Sequence, residues 1–406
     1  MTADLGRVID VRTGLETTWA DLPEHTVPAP AAVVVGSSFD ALAWVRAHVE
    51  SGAELLIVAQ GRMEPSLRAE LDGAGFNIVA PDGIVTPSGS PRPAEDGRLW
   101  LLTSGSTGRP KRIGHTLESL TTVAGELAPR RWLCPYSPGT YAWWQVVTLA
   151  LAGPGQDLVV VDPTALDGWA AAAAEHRVTA ASGTPTFWRQ SLMAQKDALA
   201  GVPLEQITLG GEPVDQAVLD QLRAAFPDAR ISWIYASSEL GASIVVHDGR
   251  AGFPVEWLDR ASADRPTLSV VDGQLVIASP HHGAGLGGAV PTGDAVVIED
   301  GRVVITGRIN SDEINVGGSK VSAGVVRSVL QAHPAVAWAA VRGRKSALVG
   351  SLVVAEIVLA SGFADTRELT ADLTSWCAER LPEYGVPRRI KVLEEIPVTQ
   401  TGKSAV

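Results

Sequence analysis

The sequence predicts an α/β protein: a large N-terminal domain of parallel-rich sheets with helices, a small β-rich subdomain, and a small α+β C-terminal domain. Three observations predict this class. Apolar strand-like runs alternate with helical patterns over residues 38–235, which is typical of parallel sheets. Two Asp-Gly pairs between later apolar runs indicate β-hairpins. A polar stretch near residue 310 then precedes a shorter segment that mixes helices and strands.

The alternation begins with a helix predicted at residues 38–51, whose Leu42, Trp44, Val45 and Val49 share one side. Residues 86–96 are rich in Pro, Ser and Gly and are predicted to form a loop. The other elements predicted before the hairpins are helices at 65–74, 166–176 and 214–226, and strands at 54–59, 77–80, 99–102, 157–161, 179–182, 206–209 and 230–235.

The second part of the chain predicts two hairpins and a separate small domain. The hairpins, over 270–278 and 294–305, turn at Asp272-Gly273 and Asp300-Gly301. We expect a large domain over residues 1–307, a small domain over 308–406, and a hinge at 308–312. The small-domain elements are predicted helices at 322–331 and 366–380 and predicted strands at 337–342 and 351–359.

Composition indicates a globular protein and excludes several functional classes. The chain has 406 residues, of which 46% are hydrophobic and 19% charged, with a net charge of −12. That charge argues against general nucleic-acid binding, although it does not exclude nucleotides. Only Cys134 and Cys377 occur, so neither a disulfide framework nor a zinc ribbon is expected. With no signal-peptide pattern and no apolar run approaching a membrane span, we expect a cytoplasmic protein.

A glycine-rich stretch follows the apolar strand predicted at residues 99–102. Its glycines allow consecutive N–H groups to turn toward an anion, while its hydroxyls and its lysine can bind phosphate oxygens. The spacing excludes a Walker A loop, and an ordinary Ser/Gly surface turn is the alternative interpretation. The candidate phosphate-binding residues are Thr103, Ser104, Gly105, Ser106, Thr107, Gly108 and Lys111.

Several later motifs contain residue types that suit a nucleotide and its metal. Glu239 could bind a hard divalent cation together with phosphate oxygens, or it could simply be a carboxylate at a helix N-terminus. Asp294 could accept hydrogen bonds from both hydroxyls of a diol. Lys403 lies three residues from the end of the sequence, where a lysine is usually solvated.

In their order along the chain, these motifs resemble those of the adenylate-forming superfamily. That superfamily includes acyl- and aryl-CoA synthetases, peptide-synthetase adenylation domains and firefly luciferase. The resemblance extends from Thr103 to Lys403 and is most like an acyl-CoA synthetase with a shortened N-terminal region. The matching stretches are Thr103 to Lys111 (Thr-Ser-Gly-Ser-Thr-Gly-Arg-Pro-Lys), Gly211-Glu212-Pro213, Tyr235-Ala236-Ser237-Ser238-Glu239, Pro291-Thr292-Gly293-Asp294, Gly307-Arg308, and Pro397-Val398-Thr399-Gln400-Thr401-Gly402-Lys403.

The resemblance implies an ATP-dependent ligase that forms acyl-AMP from a small carboxylic acid, releases pyrophosphate, and passes the acyl group to coenzyme A. The small domain would be mobile and would rotate between the two steps. Lys403, Glu239 and Thr103 would be catalytic, with Lys403 bridging the substrate carboxylate and the α-phosphate. The other implied roles are the adenine pocket for Gly211, Glu212 and Pro213, adenine stacking for Tyr235, α-phosphate contact for Ser238, Mg²⁺ for Glu239, ribose for Asp294 and Arg308, and the pantetheine tunnel for Gly317 and Gly318.

Alternatives remain for the acceptor and for the function. A carrier-protein phosphopantetheine or an amine could replace coenzyme A, and the basic residues Arg342, Arg344 and Lys345 either suit the phosphates of coenzyme A or form a solvated surface. A non-enzymatic nucleotide sensor would have no use for Lys403, whereas a luciferase-type oxygenase would need the same adenylation residues. The Gly317-Gly318 pair could equally be a plain hairpin turn.

Substrate identity is open because the acid-binding region departs from the family pattern. No histidine follows Pro135, so Tyr136 or Tyr141 could replace the usual gate. Aromatic and apolar side chains could line the acid pocket or belong to the core. These candidates are Trp143, Trp144, Thr184, Phe187, Trp188, Ile234 and Leu240.

Overall fold

The protein is described from a computed structural model. The ranges that the structure describes are 5–104, 110–123, 125–260, 265–280, 282–285, 287–309, 312–346, 350–398 and 403–404.

Twenty-four strands are defined in this part of the chain. They are β1 Arg7–Asp10, β2 Leu15–Thr18, β3 Ala31–Val35, β4 Leu55–Ala59, β5 Asn77–Val79, β6 Val85–Thr86, β7 Leu99–Ser104, β8 Pro110–His115, β9 Arg130–Cys134, β10 Gln156–Val160, β11 Ala180–Gly183, β12 Gln206–Gly210, β13 Arg230–Ser237, β14 Gly241–Val246, β15 Phe253–Pro254, β16 Thr267–Val271, β17 Gln274–Ala278, β18 Val290–Glu299, β19 Arg302–Arg308, β20 Glu313–Val316, β21 Ser319–Ser322, β22 Val336–Ser346, β23 Gly350–Leu359 and β24 Arg389–Leu393.

Ten α-helices are defined in the same ranges. They are α1 Ser38–Ser51, α2 Pro65–Gly73, α3 Leu117–Leu120, α4 Tyr141–Leu151, α5 Trp169–Glu175, α6 Pro185–Ala194, α7 Lys196–Leu199, α8 Gln216–Ala225, α9 Ala323–Gln331 and α10 Arg367–Arg380. No helix of the described residues is both long and apolar enough to cross a lipid bilayer.

Two mostly parallel sheets form the body of the large domain. The first has the order β14-β13-β12-β11-β9-β10-β1-β2, and the second has the order β6-β5-β3-β4-β7-β8. In both sheets the inner strands are parallel, and the edge strands pair antiparallel. The predicted α/β class with parallel-rich sheets is therefore confirmed.

Helix α1 shows how the sequence sets an element's limits. Ser37 accepts a hydrogen bond from the Asp40 N–H at 3.1 Å, which caps the N-terminus. Gly52, at φ +68°, ends the helix and donates its N–H to the His48 carbonyl at 2.7 Å. One apolar core contains residues of α1, α4 and strands of both sheets, so the two helices fix how the sheets pack.

Antiparallel hairpins complete the large domain. Strands β16 to β19 pair consecutively, and the two turns fall at the predicted Asp-Gly pairs. Asp272 and Asp300 both adopt positive φ, as do the glycines that follow them. These left-handed backbone angles match the right-handed twist of hairpin strands, which is why Asp-Gly is a strong turn signal.

The small domain is a sheet of β20 to β24 covered by α9 and α10 around its own apolar core. Strand β22 extends beyond the predicted end at Arg342 and continues through Arg344 and Lys345. The prediction ended too early because these charged residues interrupt the apolar pattern, while their backbone groups still pair with β23.

The two domains meet along helix α6 through polar and apolar contacts. Arg189 donates to the Ala337 carbonyl at 2.7 Å and forms an ion pair with Asp215. Asp215 also accepts from the Gln331 side chain at 2.7 Å. Met193 packs on a small-domain cluster that includes Trp338. The structure therefore holds the small domain in one defined orientation against the large domain.

Candidate active site

Parallel strands bring two of the sequence motifs and one acid-pocket candidate to one edge of the first sheet. Strands β11, β12 and β13 are neighbours and run in the same direction. Their carboxyl ends lead into Thr184, the Gly211-Glu212 turn and Ser238. In open α/β sheets this edge is where ligands usually bind.

Lys403 of the small-domain tail reaches this edge. A Cβ placed on Gly211 would lie 3.4 Å from Lys403 Cε, 3.8 Å from its Nζ, and 3.7 Å from Thr184 Cγ2. Gly211 also has φ +82°, a conformation that side chains disfavour. The lysine therefore packs on a turn whose first residue adopts a left-handed backbone conformation that favours glycine.

Glu212, the next residue of the turn, binds both domains through its carboxylate. Its two oxygens accept from the N–H and hydroxyl of Thr186 at 3.0 and 3.1 Å. One of those oxygens also accepts from the N–H and hydroxyl of Ser404 at 2.7 and 2.9 Å. Pro213 follows in the same turn, before the Asp215 side chain caps α8. The residue beside Lys403 is thus fixed to the large domain.

The charge of Lys403 depends on its surroundings. Burial lowers the pKa of its ammonium group from the ordinary lysine value. The nearby Glu212 carboxylate raises that pKa, whereas the Arg308 guanidinium lowers it. Of these three influences, Glu212 is the one that favours the charged form.

Tyr235, Asp294 and Arg308 form a second cluster. Asp294 is only 8% exposed, and one of its oxygens accepts a short hydrogen bond from the Tyr235 hydroxyl. Its other oxygen lies 3.1 Å from Arg308 Nε. Burial raises the pKa of both Asp294 and Tyr235. A buried acidic acceptor is therefore held by two donors whose positions the fold determines.

A histidine that was not predicted from the sequence anchors Ser238, and a glycine N–H anchors Glu239. His115 Nε2 lies 2.7 Å from the Ser238 carbonyl, which can only accept, so that nitrogen carries the proton. Burial lowers the pKa of His115. The Gly283 N–H donates to the Glu239 carbonyl at 2.8 Å. A histidine at the end of β8 gives no local signal because its partner is 123 residues away.

Glu239 fits the role of a metal ligand only in combination with a substrate. Its side chain is partly exposed at the strand edge. Over the described ranges no group of three or more His, Cys, Asp or Glu side chains could hold a metal ion. Magnesium binds readily through one carboxylate when substrate phosphates and water supply the other oxygens. The residues present are compatible with that arrangement.

The predicted phosphate loop is described only at its base. Thr103 of β7 and Lys111 of β8 are opposite each other in an antiparallel pair. Ser104 ends β7, and its side chain lies outside the described part of the structure. Gly105, Ser106, Thr107 and Gly108 also lie outside it, so their predicted contacts with phosphate stay predictions.

Gly317 and Gly318 form the turn between β20 and β21 of the small domain. Both have positive φ, and a Cβ added at either would meet no other atom within 4 Å. The Gly318 N–H donates to Asn315 Oδ1 at 2.9 Å. In this orientation of the domains, the pair is an open hairpin turn.

Three aromatic candidates for the acid pocket belong to the protein core. Trp143 and Trp144 are at most 1% exposed and pack between the two sheets. Trp188 is fully buried with Trp169 and Phe187. Their burial gives these tryptophans a packing role.

A site at the carboxyl edge of a parallel sheet, approached by a lysine from a second domain, is typical of a two-domain α/β protein that binds a ligand between its domains. Residues 29–286 match the family model for AMP-binding enzymes, and residues 326–403 match the AMP-binding enzyme C-terminal domain. The chain belongs to the family of AMP-binding enzymes. The predicted superfamily is confirmed.

Curated relatives include two kinds of coenzyme A ligase. The chain is 28% identical over 378 residues to the 4-chlorobenzoate–CoA ligase of Arthrobacter sp., covering 83% of this chain and 69% of the relative. It is 25% identical over 361 residues to the acetyl-coenzyme A synthetase of Sodalis glossinidius, covering 76% of this chain. The chain spans about half (54%) of that synthetase's length.

Solved structures support the fold. The chain is similar to the anthranilate CoA ligase AuaEII in complex with anthranoyl-AMP, with a TM-score of 0.74, 18% identity, and coverage of 99% of this chain and 93% of the other. It is also similar to the amide bond synthetase McbA of Marinactinospora thermotolerans, with a TM-score of 0.69, 21% identity, and coverage of 99% and 95%.

Proposed function

We propose that this protein activates a small carboxylic acid with ATP as acyl-AMP, releases pyrophosphate, and transfers the acyl group to the thiol of coenzyme A. The observation that carries the proposal is the position of Lys403. This lysine belongs to the small domain, yet it packs against Gly211 at the sheet edge of the large domain. A sensor that only binds nucleotide would not need a cation supplied from a second domain.

The first step joins two anionic reactants, because a carboxylate attacks the α-phosphorus of ATP. Catalysis therefore needs positioning and cationic groups that stabilise charge in the transition state. We assign Lys403 to the substrate carboxylate and the α-phosphate. Thr103 and Lys111, together with Ser104, Gly105, Ser106, Thr107 and Gly108, would bind the phosphates.

The nucleoside would lie between the Gly211-Glu212-Pro213 turn and the second cluster. Tyr235 would stack on adenine, while Asp294 and Arg308 would bind the ribose. The buried carboxylate of Asp294 supports this assignment, because each of its oxygens can accept more than one hydrogen bond. Ser238 would contact the α-phosphate, and its carbonyl is already fixed by His115.

Glu239 would hold Mg²⁺ with the phosphates of the substrate. The ion would supply positive charge against the phosphate oxygens when bound. The Glu239 carboxylate would position the ion. The hydrogen bond from the Gly283 N–H to the Glu239 carbonyl would limit the movement of Glu239.

For the second step, we propose that the small domain, over residues 308–406, rotates about a hinge at 308–312. The Asp312 carboxylate accepts from the Arg308 N–H at 2.8 Å, so the two ends of this segment are in contact. Rotation would withdraw Lys403 and bring the Gly317-Gly318 turn toward the acyl-AMP and the thiol. Such domain movements are a known way to run two steps in one cleft.

A second candidate has an amine as the acyl acceptor. The structural likeness to an amide bond synthetase, at a TM-score of 0.69, favours considering it. It uses the same first step, so only the second step distinguishes the two candidates. A carrier-protein phosphopantetheine is a thiol acceptor of the same chemical kind.

A panel of carboxylates in ATP–pyrophosphate exchange tests the first step. The panel should include acetate, 4-chlorobenzoate and anthranilate, since relatives carry these acids in their names. Mass detection of the acyl product with coenzyme A or an amine then identifies the acceptor. Absence of exchange with every acid, in folded protein that binds ATP, would refute the proposal.

A further inference from the structure

We propose that Glu212 is a positioning residue: it holds Lys403 in the adenylate-forming orientation by binding the adjacent Ser404 with its carboxylate. The inference rests on the proposed function, because it concerns how the lysine is presented to the first step. It gives the Glu212 side chain a task separate from the adenine pocket that the resemblance implies for this turn.

The contacts of the carboxylate carry the inference. Glu212 Oε1 accepts from the Ser404 N–H at 2.7 Å and from the Ser404 hydroxyl at 2.9 Å. These partners are 192 residues apart and belong to different domains. The Ser404 N–H belongs to the peptide bond that follows Lys403. Its hydrogen bond to Glu212 therefore fixes the backbone from which the lysine side chain extends.

The lysine and its neighbour therefore dock on consecutive residues of one turn. Lys403 packs against Gly211, while Ser404 binds Glu212. A flexible lysine gains most from such preorganisation, since its backbone is placed before the reactants engage its ammonium group. Charge-assisted hydrogen bonds are also stronger than neutral ones, which suits a carboxylate for this task.

The same geometry allows release. Thr186 belongs to the large domain and donates two hydrogen bonds to Glu212, at 3.0 and 3.1 Å. When the small domain rotates away, these two bonds remain. The half-buried carboxylate therefore keeps hydrogen-bond partners after Ser404 leaves.

The main test compares three variants in separate assays of the two half-reactions. Glu212→Gln keeps the shape but removes the charge, and Ser404→Ala removes the hydroxyl while leaving Glu212 and Thr186 intact. Gln331→Ala is the matched control, because it removes a different interdomain hydrogen bond, to Asp215 at 2.7 Å. We expect acyl-AMP formation to fall about 10- to 100-fold in Glu212→Gln and about 3- to 10-fold in Ser404→Ala.

Thioester formation from supplied acyl-AMP should be unchanged in Ser404→Ala, which leaves the nucleoside-binding turn intact. Equal losses in the two half-reactions of Ser404→Ala, or losses in Gln331→Ala as large as in Glu212→Gln, would overturn the inference. Thermal unfolding of each variant identifies any that fail to fold. Ser404→Ala leaves the contacts between Glu212 and Thr186 in place, so it keeps the test decisive if Glu212→Gln is unstable.

The pH dependence of acyl-AMP formation gives a readout that a merely structural role would not move. Lys403 faces the carboxylate of Glu212, which raises its pKa, and the guanidinium of Arg308, which lowers it. Removing the Glu212 charge should shift the alkaline limb of the rate profile to lower pH. Gln331→Ala should leave that limb in place. An unshifted limb in Glu212→Gln contradicts the inference.

Chemical labelling of lysines separates this inference from the proposed function. An amine-reactive reagent with peptide mass spectrometry should modify Lys403 faster in Glu212→Gln and Ser404→Ala than in the unmodified protein. Lys345, exposed on β22, is the internal reference and should react equally in all three. If no acid is activated, the proposed function fails, while faster labelling of Lys403 still supports the positioning role of Glu212. Unchanged labelling refutes that role even in an active enzyme.

Discussion

Replacing Asp294 with asparagine is expected to weaken ATP binding about 10- to 150-fold without unfolding the protein. In the structure one Asp294 oxygen lies 3.1 Å from Arg308 Nε, and the other accepts from the Tyr235 hydroxyl. Each oxygen has a further lone pair for a ribose hydroxyl. Asparagine has a single side-chain oxygen, so its amide N–H₂ group would face either the Tyr235 hydroxyl or the Arg308 guanidinium, both of which are donors. A hydrogen bond to a charged group contributes about 1.5–3 kcal/mol, which corresponds to that range.

Isothermal titration of ATP in the absence of acid measures this effect directly. Asp312→Asn is the matched control, since Asp312 bonds the main-chain N–H of Arg308 and has no assigned contact with the ribose. Its ATP affinity should stay within about twofold of the unmodified protein, because the asparagine oxygen can still accept from the Arg308 N–H. If Asp294→Asn melts normally and binds ATP with unchanged affinity, the assignment of this cluster to the ribose is wrong.

Three further predictions address the cation, the metal and the buried histidine. Lys403→Ala should cut acyl-AMP formation about 10²- to 10³-fold while thioester formation from supplied acyl-AMP survives; equal loss in both would contradict domain rotation. Glu239→Gln should raise the Mg²⁺ concentration required for adenylation, and an identical magnesium titration would make Glu239 structural. Burial lowers the pKa of His115, so its contribution to stability is present above about pH 6.5 and lost as pH falls through the folded-state pKa. The free energy of unfolding of His115→Gln should therefore fall less steeply below pH 6.5 than that of the unmodified protein, and parallel slopes would refute this.

Local sequence patterns predicted the elements whose limits depend on neighbouring residues. The bounds of α1 agree with the prediction, because Ser37 and Gly52 cap the helix through their own side chain and backbone. Asp272 and Asp300 begin hairpin turns for a similarly local reason, since each can adopt positive φ before a glycine. Such elements need no information from distant parts of the chain.

Helix α4 was missed because its surroundings are apolar on more than one side. Trp143, Trp144, Val146 and Val147 are consecutive or nearly so and are all buried between the two sheets. A helix covered in this way has no polar face, so its sequence lacks the periodicity of a surface helix. The same burial explains why tryptophans considered for the acid pocket proved to be core residues.

The sequence motifs identified residues of the candidate site, but they did not predict the contacts between the two domains. Asp294, Tyr235 and Arg308 meet as neighbours, and all three were selected from motifs. Ser404 had no signal, because its partner Glu212 is fixed only once both domains have folded and docked. Contacts of this kind depend on tertiary structure, which residue types at short spacing do not encode.

The interface between the domains repeats one arrangement at two places. Glu212 binds Ser404 of the small domain, and Thr186 of the large domain also donates to it. Arg189, only 3% exposed, donates to the Ala337 carbonyl of the small domain and pairs with Asp215 of the large domain. In both cases the charged group has a permanent partner on its own domain and a second partner across the interface.

This arrangement would make the proposed domain rotation compatible with a buried charge at the interface. If Arg189 had only its small-domain partner, rotation would leave an unpaired guanidinium, and losing one partner of a buried charge commonly costs about 3–5 kcal/mol. Because Asp215 stays with Arg189, the proposed rotation would take from this ion pair only the hydrogen bond to Ala337 and the one from Gln331 to Asp215. Each of these contributes about 0.5–3 kcal/mol net. The polar contacts of the interface can therefore specify the docked orientation. The free energy lost when they break is small enough for binding of the next substrate to offset it.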